Sequence, residues 1–257
     1  MEQPVYIVTG SSAGIGEACA ERLAAAGGRI VVNYASRQAE ANAVAARCRE
    51  KGGEAIVVQA DVSSDADCRR LADAATQQWG RIDGLVNNAG TTRFARHDDL
   101  EALQAEDFHD IYSVNVIGAY QMIRAVAPAM RAQGRGAVVN MASLAGVRGV
   151  GSSVAYAASK GALITLTLSL ARALGPDIRV NAVCPGFVET GWLKAGLGES
   201  YEKQRAGYAA ASPLQDVVQP EDVADAVVWL LTGASKTTGE TLLVDGGMHL
   251  GPSQRRR

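Results

Sequence analysis

The fold is decided close to the start of the chain by Val5-Tyr6-Ile7-Val8-Thr9-Gly10-Ser11-Ser12-Ala13-Gly14-Ile15-Gly16. A short β-branched apolar run leads into a glycine-rich turn, and an Ala-rich helical stretch follows. Glycines at such a turn let the backbone approach a pyrophosphate closely, and the helix N-terminus presents free N–H groups to the anion. The candidate cofactor contacts here are Gly10, Ser12, Gly14, Ile15 and Gly16. The same pattern also occurs in turns that bind nothing.

The alternation of short apolar runs and Ala-rich stretches continues along the chain. The runs predict strands at Val5–Thr9, Arg29–Tyr34, Ala55–Gln59, Gly84–Asn87, Ala137–Ala142, Arg179–Cys184 and Thr241–Val244. The stretches between them predict helices near Gly14–Ala26, Gln38–Lys51, Asp65–Trp79, Glu106–Gln133, Ser152–Leu174 and Pro220–Leu231. Strands without polar alternation are buried on both faces, as in a parallel sheet covered by helices. We therefore predict an α/β fold: a Rossmann-type doubly wound parallel sheet of about seven strands with helices on both faces.

Composition limits the organisation and the function classes. The 257 residues are 47% hydrophobic and 20% charged, with a formal net charge of -2. This balance fits one domain over residues 1–257, which no linker, repeat or low-complexity segment divides. The low charge argues against nucleic acid or an anionic membrane as a partner. The four scattered cysteines form no metal-binding pair, and neither a targeting segment nor a membrane span is recognisable, so we expect a cytoplasmic protein without a metal.

Two segments stand apart from the alternation. Residues 187–213 contain four glycines among Phe187, Trp192, Tyr201 and Tyr208. A flexible aromatic segment after a strand end predicts a lid over a substrate, and a long surface excursion is the alternative. Residues 252–257 end in three arginines and predict a flexible, solvated tail.

Two further motifs follow predicted strands at the end where a dinucleotide would lie. Asp61 and Val62 come after the third strand, where a carboxylate can accept a hydrogen bond from an adenine amino group. Asn88, Ala89 and Gly90 end the fourth strand, where small residues permit contact with the adenosine ribose. Each motif also has a structural alternative, because Asp often caps a helix and Asn-Gly clusters often form turns.

The end of the second predicted strand bears on which dinucleotide binds. It reads Asn33-Tyr34-Ala35-Ser36-Arg37, with no acidic residue before Glu40. An acidic side chain there would bind a ribose 2′-hydroxyl and repel a 2′-phosphate. Arg37 can instead pair with the phosphate, and Ser36 can donate to it. The sequence thus favours NADP(H), and NAD(H) stays open.

A second group of residues carries the candidate chemistry. Tyr156 and Lys160 are four residues apart and therefore share one face of a predicted helix. A nearby ammonium favours the phenolate and pulls the tyrosine pKa from about 10 towards neutrality, so that the hydroxyl can exchange a proton with a carbonyl oxygen. Ser143 follows the fifth strand and can stabilise charge on that oxygen. Asn115 can anchor a water that relays protons to Lys160. The alternatives are an exposed Tyr-Lys pair, a capping serine and an incidental asparagine.

With these motifs in this order, the chain resembles the short-chain dehydrogenase/reductase family over nearly its whole length. In that family an Asn-Ser-Tyr-Lys tetrad is catalytic, and the resemblance assigns these roles to Asn115, Ser143, Tyr156 and Lys160. It also implies that the tyrosine and lysine contact the cofactor. Further cofactor contacts implied in this way are Pro185, Gly186, Val188 and Thr190. Family members are mostly tetramers, so the resemblance implies a homotetramer or dimer.

Within the family, the run from Gly239 to Gly247 is similar to 3-oxoacyl-[acyl-carrier-protein] reductases. The leading interpretation is NADPH-dependent reduction of a ketone, such as a 3-oxoacyl thioester, with tyrosine as proton donor. The basic residues that dock a carrier protein in those reductases are missing from the matching positions, so a carrier-protein partner is an open question. A sugar, polyol or secondary-alcohol dehydrogenase shares every motif. The non-enzyme alternative is a dinucleotide-binding regulatory protein.

Overall fold

Seven parallel strands form the centre of the computed structural model, which describes residues 3–251. They are β1 (Val5–Val8), β2 (Arg29–Tyr34), β3 (Glu54–Gln59), β4 (Gly84–Asn87), β5 (Gly136–Met141), β6 (Ile178–Pro185) and β7 (Thr241–Val244). Their order is β3-β2-β1-β4-β5-β6-β7, and every adjacent pair is parallel. The predicted doubly wound sheet is confirmed. The tail predicted at residues 252–257 lies outside the described residues.

Helices cover both faces of the sheet. They are α1 (Gly14–Ala25), α2 (Gln38–Glu50), α3 (Asp65–Trp79), α4 (Ala105–Tyr112), α5 (Ala119–Ala132), α6 (Leu144–Arg148), α7 (Val154–Leu174), α8 (Gly191–Leu197), α9 (Tyr201–Ala211) and α10 (Pro220–Thr232). Alternate residues of β1 belong to opposite sides. Tyr6 and Val8 pack in the apolar cluster that includes α1 and α10, whereas Val5 and Ile7 pack with α3 and α5. This two-sided burial explains why the strands are continuous apolar runs.

Two long regions differ from the prediction, as does the short helix α6, where the sequence predicts no helix. The single helix predicted at Glu106–Gln133 is α4, a π-helical segment Ser113–Gly118 and α5 in direct succession. A π-turn interrupts the regular hydrogen-bond ladder, often at a functional site, and apolar periodicity does not reveal it. Residues 187–213, for which the sequence predicts no helix, fold into α8, a 3₁₀ turn at Gly198–Ser200 and α9.

The connections change direction at the centre of the sheet. From β1 the chain moves outward to β2 and β3, and it returns to β4 on the other side of β1 before continuing to β7. In such sheets a crevice opens at the carboxyl ends of the central strands. The glycine turn follows β1 and Asn88 follows β4, so both lie at this crevice.

Helix α7 carries the predicted Tyr-Lys pair. Its 21 residues have a mean hydropathy of 1.4 over the most apolar window, so by length and composition alone it could cross a membrane. It nevertheless packs against β5 and β6. Asn140 of β5 donates from Nδ2 to the hydroxyl of Thr167 in the middle of the helix, at 2.9 Å. These contacts place one face of α7 in the protein core.

Candidate active site

The turn after β1 lies directly against the loop after β4. A Cβ on Gly10, whose φ is +60°, would stand 2.9 Å from the Cα of Ala89, and one on Gly16 would collide with the side chain of Asn88. Asn88 donates from Nδ2 to the carbonyl oxygens of Thr9 and Gly10, at 2.9 and 3.0 Å. Close approach therefore requires both glycines, and the amide fixes the turn to the loop.

Helix α1 begins at this turn without a side-chain cap. Its N-cap residue is Ala13, which makes no capping hydrogen bond. The first-turn N–H groups and the positive end of the helix dipole are therefore available to an anion. Gly14 and Ile15 line a cavity of about 350 Å³, and the Cγ2 of Thr190 lies 3.4 Å from where a Cβ on Gly14 would stand. An uncapped helix end that begins at a glycine fits the diphosphate of a dinucleotide.

The predicted residues after β2 and β3 have different surroundings. The side chain of Asn33 hydrogen-bonds within the protein. Its Oδ1 accepts from the N–H of Gly10 and its Nδ2 donates to a carbonyl after β3, both at 3.0 Å. Arg37 is exposed, lines the cavity and forms no ion pair within residues 3–251. Asp61 is also exposed, and its Oδ1 accepts from the N–H and the hydroxyl of Ser63, at 2.9 and 2.7 Å. Asn33 thus shapes the glycine turn, while Arg37 is free to bind a ligand.

The cavity brings together many, but not all, of the predicted residues. Those that line it are Gly10, Gly14, Ile15, Arg37, Asn88, Gly90, Ser143, Tyr156, Lys160, Pro185, Gly186, Val188 and Thr190. Those outside its lining are Ser12, Gly16, Asn33, Tyr34, Ser36, Asp61, Val62, Ala89 and Asn115. One cavity therefore connects the glycine turn with the Tyr-Lys pair.

The carboxyl end of β5 and helix α7 form the reactive end of the cavity. Lys160 is 4% exposed, and its Nζ donates to the carbonyl oxygen of Met141 at 2.7 Å. The same Nζ lies 5.5 Å from the centre of the Tyr156 ring. Ser143 lines the cavity beside Tyr156, and its Oγ accepts from the N–H of Ala145 at 3.1 Å. Ser143 therefore caps α6 at the same end of the cavity as the tyrosine.

Burial controls the protonation of the Tyr-Lys pair. It raises the pKa of Tyr156 to about 12, and the neighbouring hydroxyl of Ser143 lowers that pKa by a smaller amount. Burial also lowers the pKa of Lys160 to about 8. The sequence predicts a lowered tyrosine pKa because the ammonium four residues away is visible in it, whereas the loss of hydration on burial is not. In the chain alone, Tyr156 is a protonated donor at neutral pH.

Asn115 connects the two ends of the site from the π-helical segment. Its Oδ1 accepts from the N–H of Thr91 at 2.8 Å, and its Nδ2 donates to the carbonyl of Thr91 and the hydroxyl of Ser159, both at 3.0 Å. A Cβ on Gly90 would lie 3.3 Å from this Oδ1 and 3.5 Å from the Nζ of Lys160. The side chain thus ties α7 to the loop after β4. The water relay through Asn115 stays a prediction.

Sequence reasoning missed part of the cavity wall. Phe94 and Trp192 line the cavity with ring centres 5.7 Å apart, and the rings of Trp192 and Tyr156 are 6.3 Å apart. Trp192 lies in the aromatic segment that the sequence distinguishes, but no motif marks Phe94. Thr91 and Ser159 were also missed, because a single polar residue in a loop or helix forms no pattern.

Comparisons with known proteins find relatives along nearly the whole chain. A family model described as enoyl-(acyl carrier protein) reductase matches residues 10–249. Ketoacyl reductase 2 of the granaticin polyketide synthase of Streptomyces violaceoruber is 46% identical over 97% of each chain. A 3-oxoacyl-[acyl-carrier-protein] reductase of Synechocystis is 38% identical over 95% of this chain and 96% of its own. The solved structure of a short-chain dehydrogenase/reductase from Burkholderia xenovorans matches with a TM-score of 0.91 and 40% identity, over 98% of this chain and 100% of that one.

Proposed function

We propose a function for this chain, which belongs to the short-chain dehydrogenase/reductase family and is an oxidoreductase. It reduces a ketone, such as a 3-oxoacyl thioester, to the 3-hydroxy product with NADPH. The observation that carries the proposal is the presence of Ser143 and Tyr156 at one end of a single cavity, beside the ammonium of Lys160, with the glycine turn lining the same cavity. Two hydroxyls at one end of a cavity are suited to hold and protonate a single substrate oxygen.

The contacts of each side chain define its role. Tyr156 is protonated at neutral pH, because burial raises its pKa to about 12, and it donates the proton that the developing alkoxide needs. Ser143 holds the same oxygen and stabilises its negative charge. The ammonium of Lys160 stabilises the phenolate that the proton transfer leaves. The bound dinucleotide supplies the hydride.

NADP(H) is the cofactor in this proposal, with Gly10, Gly14 and Ile15 around the diphosphate. Arg37 supports this choice, because it lines the cavity and its guanidinium has no ion-pair partner among residues 3–251. A guanidinium in this position can bind a 2′-phosphate through two hydrogen bonds. The described residues that line the cavity include no carboxylate that would repel the phosphate. NAD(H) is the alternative.

Three other functions would use the same site. A sugar, polyol or secondary-alcohol dehydrogenase runs in the opposite direction and needs the phenolate, which the raised pKa of Tyr156 disfavours. Reduction of a carbon–carbon double bond, suggested by the name of the matched family model, leaves its last proton on carbon and not on the oxygen that Ser143 and Tyr156 flank. A regulatory dinucleotide sensor needs neither hydroxyl.

The proposal extends to the setting of the reaction. The substrate is a small-molecule or carrier-bound carbonyl compound, and residues 187–213 act as its lid. The chain works as one domain in the cytoplasm, without nucleic acid or membrane as partner. It assembles into a homotetramer or dimer. Exposed apolar side chains support the assembly: Ile117, Tyr120 and Leu168 are 50%, 43% and 41% exposed.

The experiment that tests the reaction measures ketone-dependent NADPH oxidation by the wild type, Tyr156→Phe and Tyr6→Phe. Tyr6 is a buried tyrosine outside the cavity and controls for the loss of a buried hydroxyl. Tyr156→Phe is expected to lower kcat by roughly a hundredfold to ten-thousandfold, while NADPH binding is retained. Equal turnover by the wild type and Tyr156→Phe, or no reduction of any ketone, would contradict the proposal.

A further inference from the structure

We infer that the substrate is a neutral ketone with a flat apolar ring system, which stacks on an aromatic wall made of Phe94, Trp192 and Tyr156. The inference rests on the proposed ketone reductase function and adds the class of ketone. It follows from the arrangement of the three rings, the exposure of the tryptophan and the distribution of charge around the cavity.

The aromatic wall is continuous. The ring of Trp192 lies 5.7 Å from that of Phe94 and 6.3 Å from that of Tyr156, with interplanar angles of 51° and 44°. These separations fall within the range of roughly 4.5–7 Å for interacting rings, so a ligand cannot enter between them and must lie against the wall. Because the wall ends at Tyr156, a stacked ring system holds its carbonyl beside the proton donor.

Trp192 is 47% exposed although it lies beside the reaction centre. Indole surface in contact with water is unfavourable, and an apolar partner that covers it stabilises the complex. The neighbouring ring of Phe187 is 7% exposed and is already packed against Tyr201 and Tyr208. Trp192 is therefore the aromatic surface of the cavity that the protein leaves for a ligand.

Helix α8 fixes the geometry of the wall. Trp192 lies in its first turn, and Gly196 in its last turn approaches the Phe94 ring so closely that any side chain at this position would collide with it. The helix therefore rests on one ring of the wall and carries another. A shift of α8 would move both rings relative to Tyr156.

The charge around the cavity favours a neutral substrate. The only charged side chains that line it, among the described residues, are Arg37 and Lys160. Arg37 precedes α2, on the far side of the glycine turn from the Tyr-Lys pair, and the buried Lys160 already donates to Met141. A substrate carboxylate or phosphate near Tyr156 would be desolvated without a partner. Most of the remaining lining is apolar, including Leu144, Val150, Leu193, Leu197 and Met248, and uncharged polar side chains such as Ser152 and Gln204 line it as well.

The kinetic test compares two neutral ketones with the same number of carbon atoms, the flat bicyclic 2-tetralone and the flexible 2-decanone. We expect kcat/KM with NADPH to be about tenfold higher for 2-tetralone, from stacking and apolar burial together. Trp192→Ala is expected to abolish this preference, chiefly by raising KM for 2-tetralone. The matched control is Trp229→Ala, since Trp229 is 49% exposed on α10 and outside the cavity, and it should keep the preference.

A binding measurement without turnover complements the kinetics. The chain has three tryptophans, so the double variant Trp79→Phe/Trp229→Phe retains Trp192 as its only indole. We expect 2-tetralone to quench this fluorescence saturably in the presence of NADP⁺, at lower concentration than 2-decanone. If both ketones are reduced equally well, or if Trp192→Ala slows both equally, or if quenching does not saturate, the inference is wrong while the reductase function stands. If no ketone is reduced, the proposed function fails and the inference fails with it.

Discussion

The buried charge of Lys160 in the site lowers the stability of the fold. The side chain is 4% exposed, and burial lowers its pKa from the ordinary 10.5 to about 8. In the range between these values the unfolded chain binds more protons than the folded one, so the contribution of this group to stability rises with pH. Below the folded pKa of about 8 the full cost of the buried charge is present.

Replacement of this lysine by an apolar side chain should therefore stabilise the protein. We expect Lys160→Met to raise the free energy of unfolding at pH 7 by up to about 3 kcal/mol, the equivalent of the lowered pKa. The difference should narrow as the pH rises from about 8 and vanish above 10.5, where the wild-type lysine becomes neutral in both states. Urea unfolding at several pH values measures it, with Lys236→Met, at an exposed lysine, as the control. A Lys160→Met protein less stable than the wild type at pH 7 would show that the ammonium stabilises the fold.

Arg37 should decide which dinucleotide is preferred. Because its exposed guanidinium has no ion-pair partner within residues 3–251, Arg37→Ala should lower kcat/KM with NADPH by about tenfold or more and leave the value with NADH nearly unchanged. Arg131→Ala, which removes an exposed arginine of α5 outside the cavity, is the matched control. An equal loss of kcat/KM with NADPH and NADH would show that Arg37 binds a group that both dinucleotides contain.

Single residues differ in how far a sequence can reveal them. The residues of the glycine turn are close together in the sequence, and so are Tyr156 and Lys160. Local backbone geometry brings the members of each motif together, so each motif is visible in the sequence. Phe94 and Ser159 act through contacts that only the folded chain creates, and neither stands in a pattern. The pKa of Tyr156 depends on the water that surrounding elements exclude. The direction in which this pKa shifts therefore could not be predicted from the neighbouring ammonium alone.

Asn115 explains how the π-helical segment is held in place. Its amide makes three hydrogen bonds, two to Thr91 and one to Ser159. We expect Asn115→Ala to lower the free energy of unfolding by about 2–3 kcal/mol, because truncation leaves buried polar groups without partners. Asn42→Ala, at an exposed position of α2, should change it by less than about 0.5 kcal/mol. Urea unfolding of both variants gives the comparison, and equal stability would mean that the segment holds its shape without this amide.

Helices α8 and α9 each contain a glycine that serves to test the proposed lid. A Cβ on Gly196 would collide with Phe94, whereas one on Gly207 of α9 would have nothing within 4 Å. We expect Gly196→Ala to raise KM for 2-tetralone by about three- to tenfold, because the helix and the Phe94 ring must move apart. Gly207→Ala should leave KM unchanged and stabilise the protein by about 0.5–1 kcal/mol. Steady-state kinetics and thermal unfolding measure the two effects. An unchanged KM in Gly196→Ala would show that the position of α8 does not affect substrate binding.

The helices that cover the sheet were easier to predict than α8 and α9. Helix α3 lies at its predicted bounds, Asp65–Trp79, because its apolar residues repeat with the helical period and face one side of the sheet. Helices α8 and α9 have few buried residues, so no apolar stripe marks them in the sequence. The same lack of burial agrees with the lid proposed for residues 187–213.

The proposed assembly into a tetramer or dimer belongs to the scale of the whole molecule. The helices on one face of the sheet carry exposed apolar side chains, among them Leu168 of α7, Ile117 and Tyr120. In a two-fold symmetric interface each substitution occurs twice, so Leu168→Glu would bury two unpaired carboxylates at a cost of several kcal/mol. We expect the wild type to be a tetramer or dimer by light scattering after size-exclusion chromatography, and Leu168→Glu to be a smaller species. Leu100→Glu, at a leucine that is 79% exposed outside these helices, should assemble as the wild type does, and a monomeric wild type at micromolar concentration would refute the assembly.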